Sequence, residues 1–175
     1  MFSRSIVQRD ARGSVGERKS ARAEARGSGS EPESEIPTEE DLIALGRALL
    51  LPEDDLTLAT VLKGPLVGLS EEQLFTLAHG RKGTLWQALS AHAGRGDAAI
   101  DAARRHLGEL LARADFVPPH ELFAEILTRD WGPGTGRERL LARLGPDAND
   151  PIEELLSLAL DYEREHVPAL EGFLH

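Results

Sequence analysis

Lys63-Gly-Pro-Leu-Val-Gly-Leu-Ser-Glu-Glu-Gln-Leu74 decides how this chain is read. Gly64-Pro65 ends a helix, because proline has no N–H to donate and its ring pushes the preceding residue out of helical backbone. Five residues later Ser70-x-x-Gln73 opens another helix, with the serine and glutamine at capping-box spacing. The stretch is therefore a helix-to-helix corner. It also places backbone amides at a helix start behind a small residue, an arrangement that can hold an anion. The residues of the corner leave both readings open.

Working outward, the apolar spacing on either side is helical. Thr38-x-x-Asp41 starts a first helix carrying Leu42, Ile43, Leu45, Leu49 and Leu50. Pro52 starts a second, with Glu53, Asp54 and Asp55 in its first turn and Leu56, Leu58, Ala59, Val61 and Leu62 as its apolar set. The third helix runs from Ser70 towards Gly80, and Thr84-x-x-Gln87 opens a fourth with Leu85, Trp86 and Leu89. The fifth and longest spans Asp97 to Ala114, with Ile100, Ala103, Leu107, Leu110 and Leu111 on one face.

Pro118-Pro119 begins a sixth helix with Leu122, Phe123, Ile126 and Leu127. Gly132-Pro-Gly-Thr-Gly136 is a loop before a short helix ending at Gly145-Pro146. Asp150-Pro151 reads as an N-cap with proline at the first helical position, followed by Ile152, Leu155, Leu156, Leu158, Ala159 and Tyr162. After Pro168 the pattern restarts at Leu170, Phe173 and Leu174, and without a C-cap glycine the end at His175 reads as a cut inside a helix. No segment alternates in the manner of a strand. The expectation is an all-α fold of about eight helices in one irregular domain over 38–175, with 1–37 a disordered tail.

The chain has 175 residues and no cysteine. That length supports one domain with a real core, and the lack of thiols excludes disulfide staples and cysteine chemistry and fits a reducing, cytoplasmic setting. No apolar run reaches the roughly 20 residues of a membrane span. Charge is uneven: residues 1–30 carry seven Lys and Arg against three acids, whereas residues 38–175 carry 13 against 24. The helical part is too acidic to bind nucleic acid by bulk charge, so a DNA contact there has to be local. The basic tail suits an inert leader or a non-specific nucleic-acid arm, and its interspersed acids argue against a transit peptide.

Catalytic motifs are missing. There is no Gly-x-x-x-x-Gly-Lys-Ser/Thr phosphate loop. Gly80-Arg-Lys-Gly83 lies between helices and reads as a solvated turn, and Gly132-x-Gly134-x-Gly136 follows no strand. The histidines at 79, 92, 106, 120, 166 and 175 form no metal-binding pair, and Glu163-x-x-His166 is half of a two-part di-iron motif. The catalytic and metal sets are both empty. Trp86, beside Leu85, reads as a core anchor; Trp131 is open between core and interface.

The run Asp41–Leu89, from D-L-I-A-L-G-R-A-L-L through K-G-P-L-V-G-L-S-E-E-Q-L to G-T-L-W-Q-A-L, resembles the AddA subunit of bacterial AddAB helicase-nucleases. More loosely it resembles superfamily 1 helicases of the UvrD/Rep/PcrA type. Phe116–Leu127 and Asn149–His175 look like its continuation, so the resemblance covers nearly all of 40–175 and none of the tail. It implies a helical 2B-type region between motor motifs of a DNA helicase working in double-strand-break repair and recombination. It also implies a parent that uses ATP and magnesium, whose partners are DNA, the remaining helicase domains and an AddB-like subunit. The chain itself has no cofactor motif and is expected to be a catalytically silent fragment. The other reading of the residues is a free-standing acidic α-helical protein-interaction module.

The resemblance also bears on the opening corner. The matching turn of UvrD-like helicases reads T-P-x-R-G-I-G and contacts duplex phosphate through backbone amides. Pro65, Gly68 and Leu69 match its proline, glycine and isoleucine, while Val67 replaces the arginine and Ser70 the second glycine. Lys63, Gly68, Leu69 and Ser70 are thus the candidate DNA-binding residues, with Lys63 the nearby cation and Glu71 and Glu72 opposing it.

Overall fold

Capping chemistry and apolar spacing set the helix order, and a computed structural model describes residues 38–175 apart from Ala93. The expected tail, 1–37, lies outside the described residues. Nine α-helices follow one another: α1 Thr38–Leu50, α2 Asp55–Lys63, α3 Glu71–Ala78, α4 Leu85–Ala91, α5 Ala98–Ala114, α6 Pro119–Thr128, α7 Gly136–Leu144, α8 Asn149–Glu165 and α9 Leu170–Phe173. A 3₁₀ turn, Pro146–Ala148, joins α7 to α8. Among the described residues the extended pairing is confined to a single bridge, Asp130 to Thr135. The described fold is all-α as expected, with nine α-helices among the described residues.

Helix α1 is the axis of the packing and touches α2, α5, α8 and α9. Leu42 and Leu45 are fully buried, with Ala48 and Leu49 nearly so, on the stripe the sequence spacing marked. Around them lie Leu58 and Leu62 of α2, Leu107 and Leu110 of α5, and Leu122, Phe123 and Ile126 of α6. Each fully buried leucine or phenylalanine contributes on the order of 1.5–3 kcal/mol, so this continuous cluster dominates stability. At Gly46 the back of α1 lies so close to Leu174 that a Cβ there would be 2.9 Å from Leu174 Cδ1. That contact seats α9.

Three local readings are corrected. Helix α2 starts at Asp55, not Pro52, because Asp54 is the N-cap: its carboxylate accepts from the amides of Leu56 at 3.1 Å and Thr57 at 3.2 Å. With the start displaced, Leu56 turns outwards and is exposed. Helix α8 starts at Asn149, so Asp150-Pro151 lies inside its first turn. The chain enters from the 3₁₀ turn already helical at Ala148, and the missing proline amide falls where no intrahelical acceptor exists. Finally, Trp86, read as a core anchor, packs half-buried against the core, while Trp131, left open by the sequence, is inside it.

Candidate nucleic-acid interface

The corner after α2 is built from local bonds. The Gly64 amide closes α2 on Thr60 O at 2.8 Å, the Gly68 amide donates to Gly64 O at 2.8 Å, and the Leu69 amide reaches back to Leu62 O at 2.8 Å. Gly68 has φ +73°, a left-handed conformation that strains any residue with a Cβ. The turn folds Leu66 and Leu69 down into the core, where they are 3% and 4% exposed. Ser70 then caps α3: its Oγ accepts from the Gln73 amide at 3.1 Å, and Gln73 Oε1 accepts from the Ser70 amide at 2.9 Å.

The structure brings Lys63, Gly68, Leu69 and Ser70 together on one corner, and it also accounts for their donors. The amides of Gly68, Leu69 and Ser70 each already donate within the protein. A phosphate arriving here meets the amides of Glu71 and Glu72 at the start of α3, with two carboxylates beside them. Lys63 is ion-paired with Glu71, and this partner holds the Glu71 carboxyl below its ordinary range, first by hydrogen bonding and then by charge.

Sequence reasoning missed the cation that completes the corner. Arg139, from α7, donates from Nε to Pro65 O at 3.0 Å and from Nη2 to Val67 O at 3.3 Å. A guanidinium therefore sits against the turn whose own sequence has valine in place of arginine. No local signal could reveal a partner that lies 72 to 74 residues away along the chain. Arg139 and Arg143, one turn apart on α7, join Lys63 and Gly68 along an open groove of about 780 Å³ between the corner and α7. Glu138 lines the same groove, but its carboxylate is used by the Thr135 cap, accepting from the Thr135 amide at 2.7 Å. Nearby, burial raises the Asp41 carboxyl above its ordinary value, with Glu40 adding to the effect and Arg143 opposing it.

The groove can thus offer three cations to an anion, Lys63 shared with Glu71 and Arg139 held in a fixed orientation by the turn. No described group of three or more His, Asp or Glu side chains is arranged to hold a metal ion. No described helix is long and apolar enough to cross a membrane.

No family model matches the chain. A short stretch is similar to AddA-type proteins, named for the A component of an ATP-dependent helicase/nuclease. That of Bacillus cereus (strain B4264) is 51% identical over 41 residues, which make up 23% of this chain and 3% of the relative. Those of Bacillus thuringiensis (strain Al Hakam) and Bacillus mycoides (strain KBAB4) are 49% identical over 41 residues, with the same shares. The chain spans about 3% of the length of the curated relatives it matches, and the similarity is narrower than the 40–175 span expected from the sequence.

Proposed function

We propose that the helical domain is an accessory region of an AddA-like, DNA-repair helicase-nuclease, of the 2B type, which contacts duplex DNA and the neighbouring motor domains without catalysis of its own. The observation that carries this reading is the local identity of about half over 41 residues to named helicase/nuclease proteins. ATP, magnesium and an AddB-like subunit belong to the parent in this reading. The geometry shapes the DNA contact. With the Gly68, Leu69 and Ser70 amides engaged internally, the corner acts as a scaffold, and Lys63, Arg139 and Arg143 carry the attraction for phosphate.

The test is duplex binding across a salt series. Lys63→Glu should weaken binding and lower the slope of log affinity against log salt by about one unit, as for a lost phosphate contact. An unchanged slope, or a parent chain that binds no duplex at all, rejects the DNA contact. DNA-stimulated ATP hydrolysis by this chain would reject the silent-accessory reading.

A second reading, an interaction module for another protein, is favoured by a separate feature. Ile43 of α1, Leu158 and Tyr162 of α8, and Phe173 and Leu174 form the apolar part of a groove of about 740 Å³ that Glu39, Arg47, Asp161, Arg164 and Glu165 also line, with Leu158 exposed. A chain that stays monodisperse favours this module; aggregation favours the accessory region.

A further inference from the structure

At the far end of α3 from the corner, Gly80, Arg81 and Lys82 of the loop after α3, with His92 and Arg95 after α4, line a second, open pocket of about 380 Å³. Its charged lining is wholly cationic: Arg81, Lys82 and Arg95, with His79 and His92 beside them. This is unusual in a domain with 24 acids and 13 bases between 38 and 175. The loop is not loosely held. Arg81 pairs with Asp55 and donates from Nε to Gly83 O at 3.2 Å, while the other Asp55 oxygen accepts from the Leu85 amide at 2.6 Å. One carboxylate from α2 thus clamps the loop at both ends and fixes the guanidinium in the wall.

The charge balance can be bounded. Asp55 neutralises Arg81. The C-terminal ends of α3 and α4 face the pocket, and two helix ends contribute roughly one negative charge between them. Lys82 and Arg95 have no carboxylate partner among the described residues. Asp97 acts on His92, and Asp101 holds the Gly94 amide beside Arg95, so the charge the pocket can turn to an anion is that of Lys82 and Arg95, both exposed.

We propose that this pocket is a phosphate-binding site, distinct from the corner groove, that takes a phosphate of a nucleic-acid backbone. Eight-residue α3 spans about 12 Å, too far for one phosphate to reach both ends and within the reach of a single duplex. The nucleic-acid source rests on the proposed duplex contact, whereas phosphate binding in this pocket does not depend on the corner groove, so the two fail separately.

The experiment is an amide-resolved NMR titration of the full chain with inorganic pyrophosphate, then with a short DNA duplex. Pyrophosphate should shift Gly80–Thr84 and the Arg95 region, and duplex should compete for the same signals. In K82E/R95E, pyrophosphate binding should weaken at least about tenfold and the duplex salt slope should fall by about two, both cations being lost. Lys63→Glu should leave the pyrophosphate shifts in place. Arg81 is left untouched because it pins Asp55, and a milder K82Q/R95Q pair with an unchanged melting curve controls for folding. Pyrophosphate binding without competition by duplex overturns the nucleic-acid source. Shifts elsewhere, no shifts, or shifts that persist unchanged in K82E/R95E overturn the site.

Discussion

Two Gly-Pro corners lead into capped helices in this domain, and they are secured in different ways. Gly64–Ser70 before α3 and Asp130–Thr135 before α7 both end in capping boxes, Ser70 with Gln73 and Thr135 with Glu138. The first corner closes mainly through backbone bonds between near neighbours and is braced from outside by Arg139. The second has backbone bonds of its own and closes around a buried side chain. Trp131 is buried and its indole N–H donates to Ile126 O at 2.9 Å. Gly136 lies so close to that same carbonyl that no Cβ fits. Similar local chemistry therefore yields two corners that both send side chains into the core, one braced by a guanidinium from α7 beside a groove and one by a buried indole.

The comparison breaks most sharply at Trp131. Trp131→Ala should cost about 3–5 kcal/mol in chemical denaturation, as for other buried tryptophans, and leave Ile126 O without its partner. A loss under about 1 kcal/mol would mean that the backbone bonds of the second corner hold it without the indole. Next comes Arg139→Met, which removes two guanidinium bonds to the first corner while keeping the bulk of the stem. A loss of about 2 kcal/mol is expected, together with weaker duplex binding in the proposed groove.

Ser70→Ala and Thr135→Ala sharpen the comparison from the other side. Both remove a cap of the same kind, so both should lower the unfolding free energy by about 1 kcal/mol. Clearly unequal losses would show that the caps differ after all. The smallest effect concerns His106, packed on Trp131 with ring centroids 5.1 Å apart. Burial, then the nearby Arg105 and Arg129, lowers its pKa from the ordinary 6.5, with Glu109 and Asp130 opposing. Since the folded value lies below the unfolded one, the stabilisation is present above pH 6.5 and is lost as pH falls from there through the folded value. His106→Gln should flatten that stretch of the stability–pH curve, measured by denaturant midpoints; an unaltered slope would assign it to other groups.

Much of the helix order was legible because caps and breakers act over three or four residues. Ser70, Thr84 and Asp97 each open the helix their spacing announced. Where the reading slipped, a competing local contact was responsible, as with Asp54 displacing Pro52 at the start of α2. The tryptophans were not legible in this way. Trp86 follows a cap and a leucine, yet that leucine takes the core position, while the loop residue Trp131 is carried inwards by a bond to the end of α6. In the candidate interface, Lys63, Gly68, Leu69 and Ser70 follow as candidates from the corner and the resemblance together, and Arg139 lies beyond the reach of both.

The sequence by itself determined that the described chain is helical, where most helices begin and end, and that its surface is acidic enough to confine any phosphate contact to local clusters. Only the tertiary structure decided which donors remain available. It shows the corner's amides already bonded, Arg139 brought onto Pro65 and Val67 from α7, and Lys82 and Arg95 gathered at the other end of α3. The physical reason is range. Capping and periodicity are set by neighbours along the chain, whereas the satisfaction of a donor or the sign of a pocket depends on groups that only packing brings within a few ångströms.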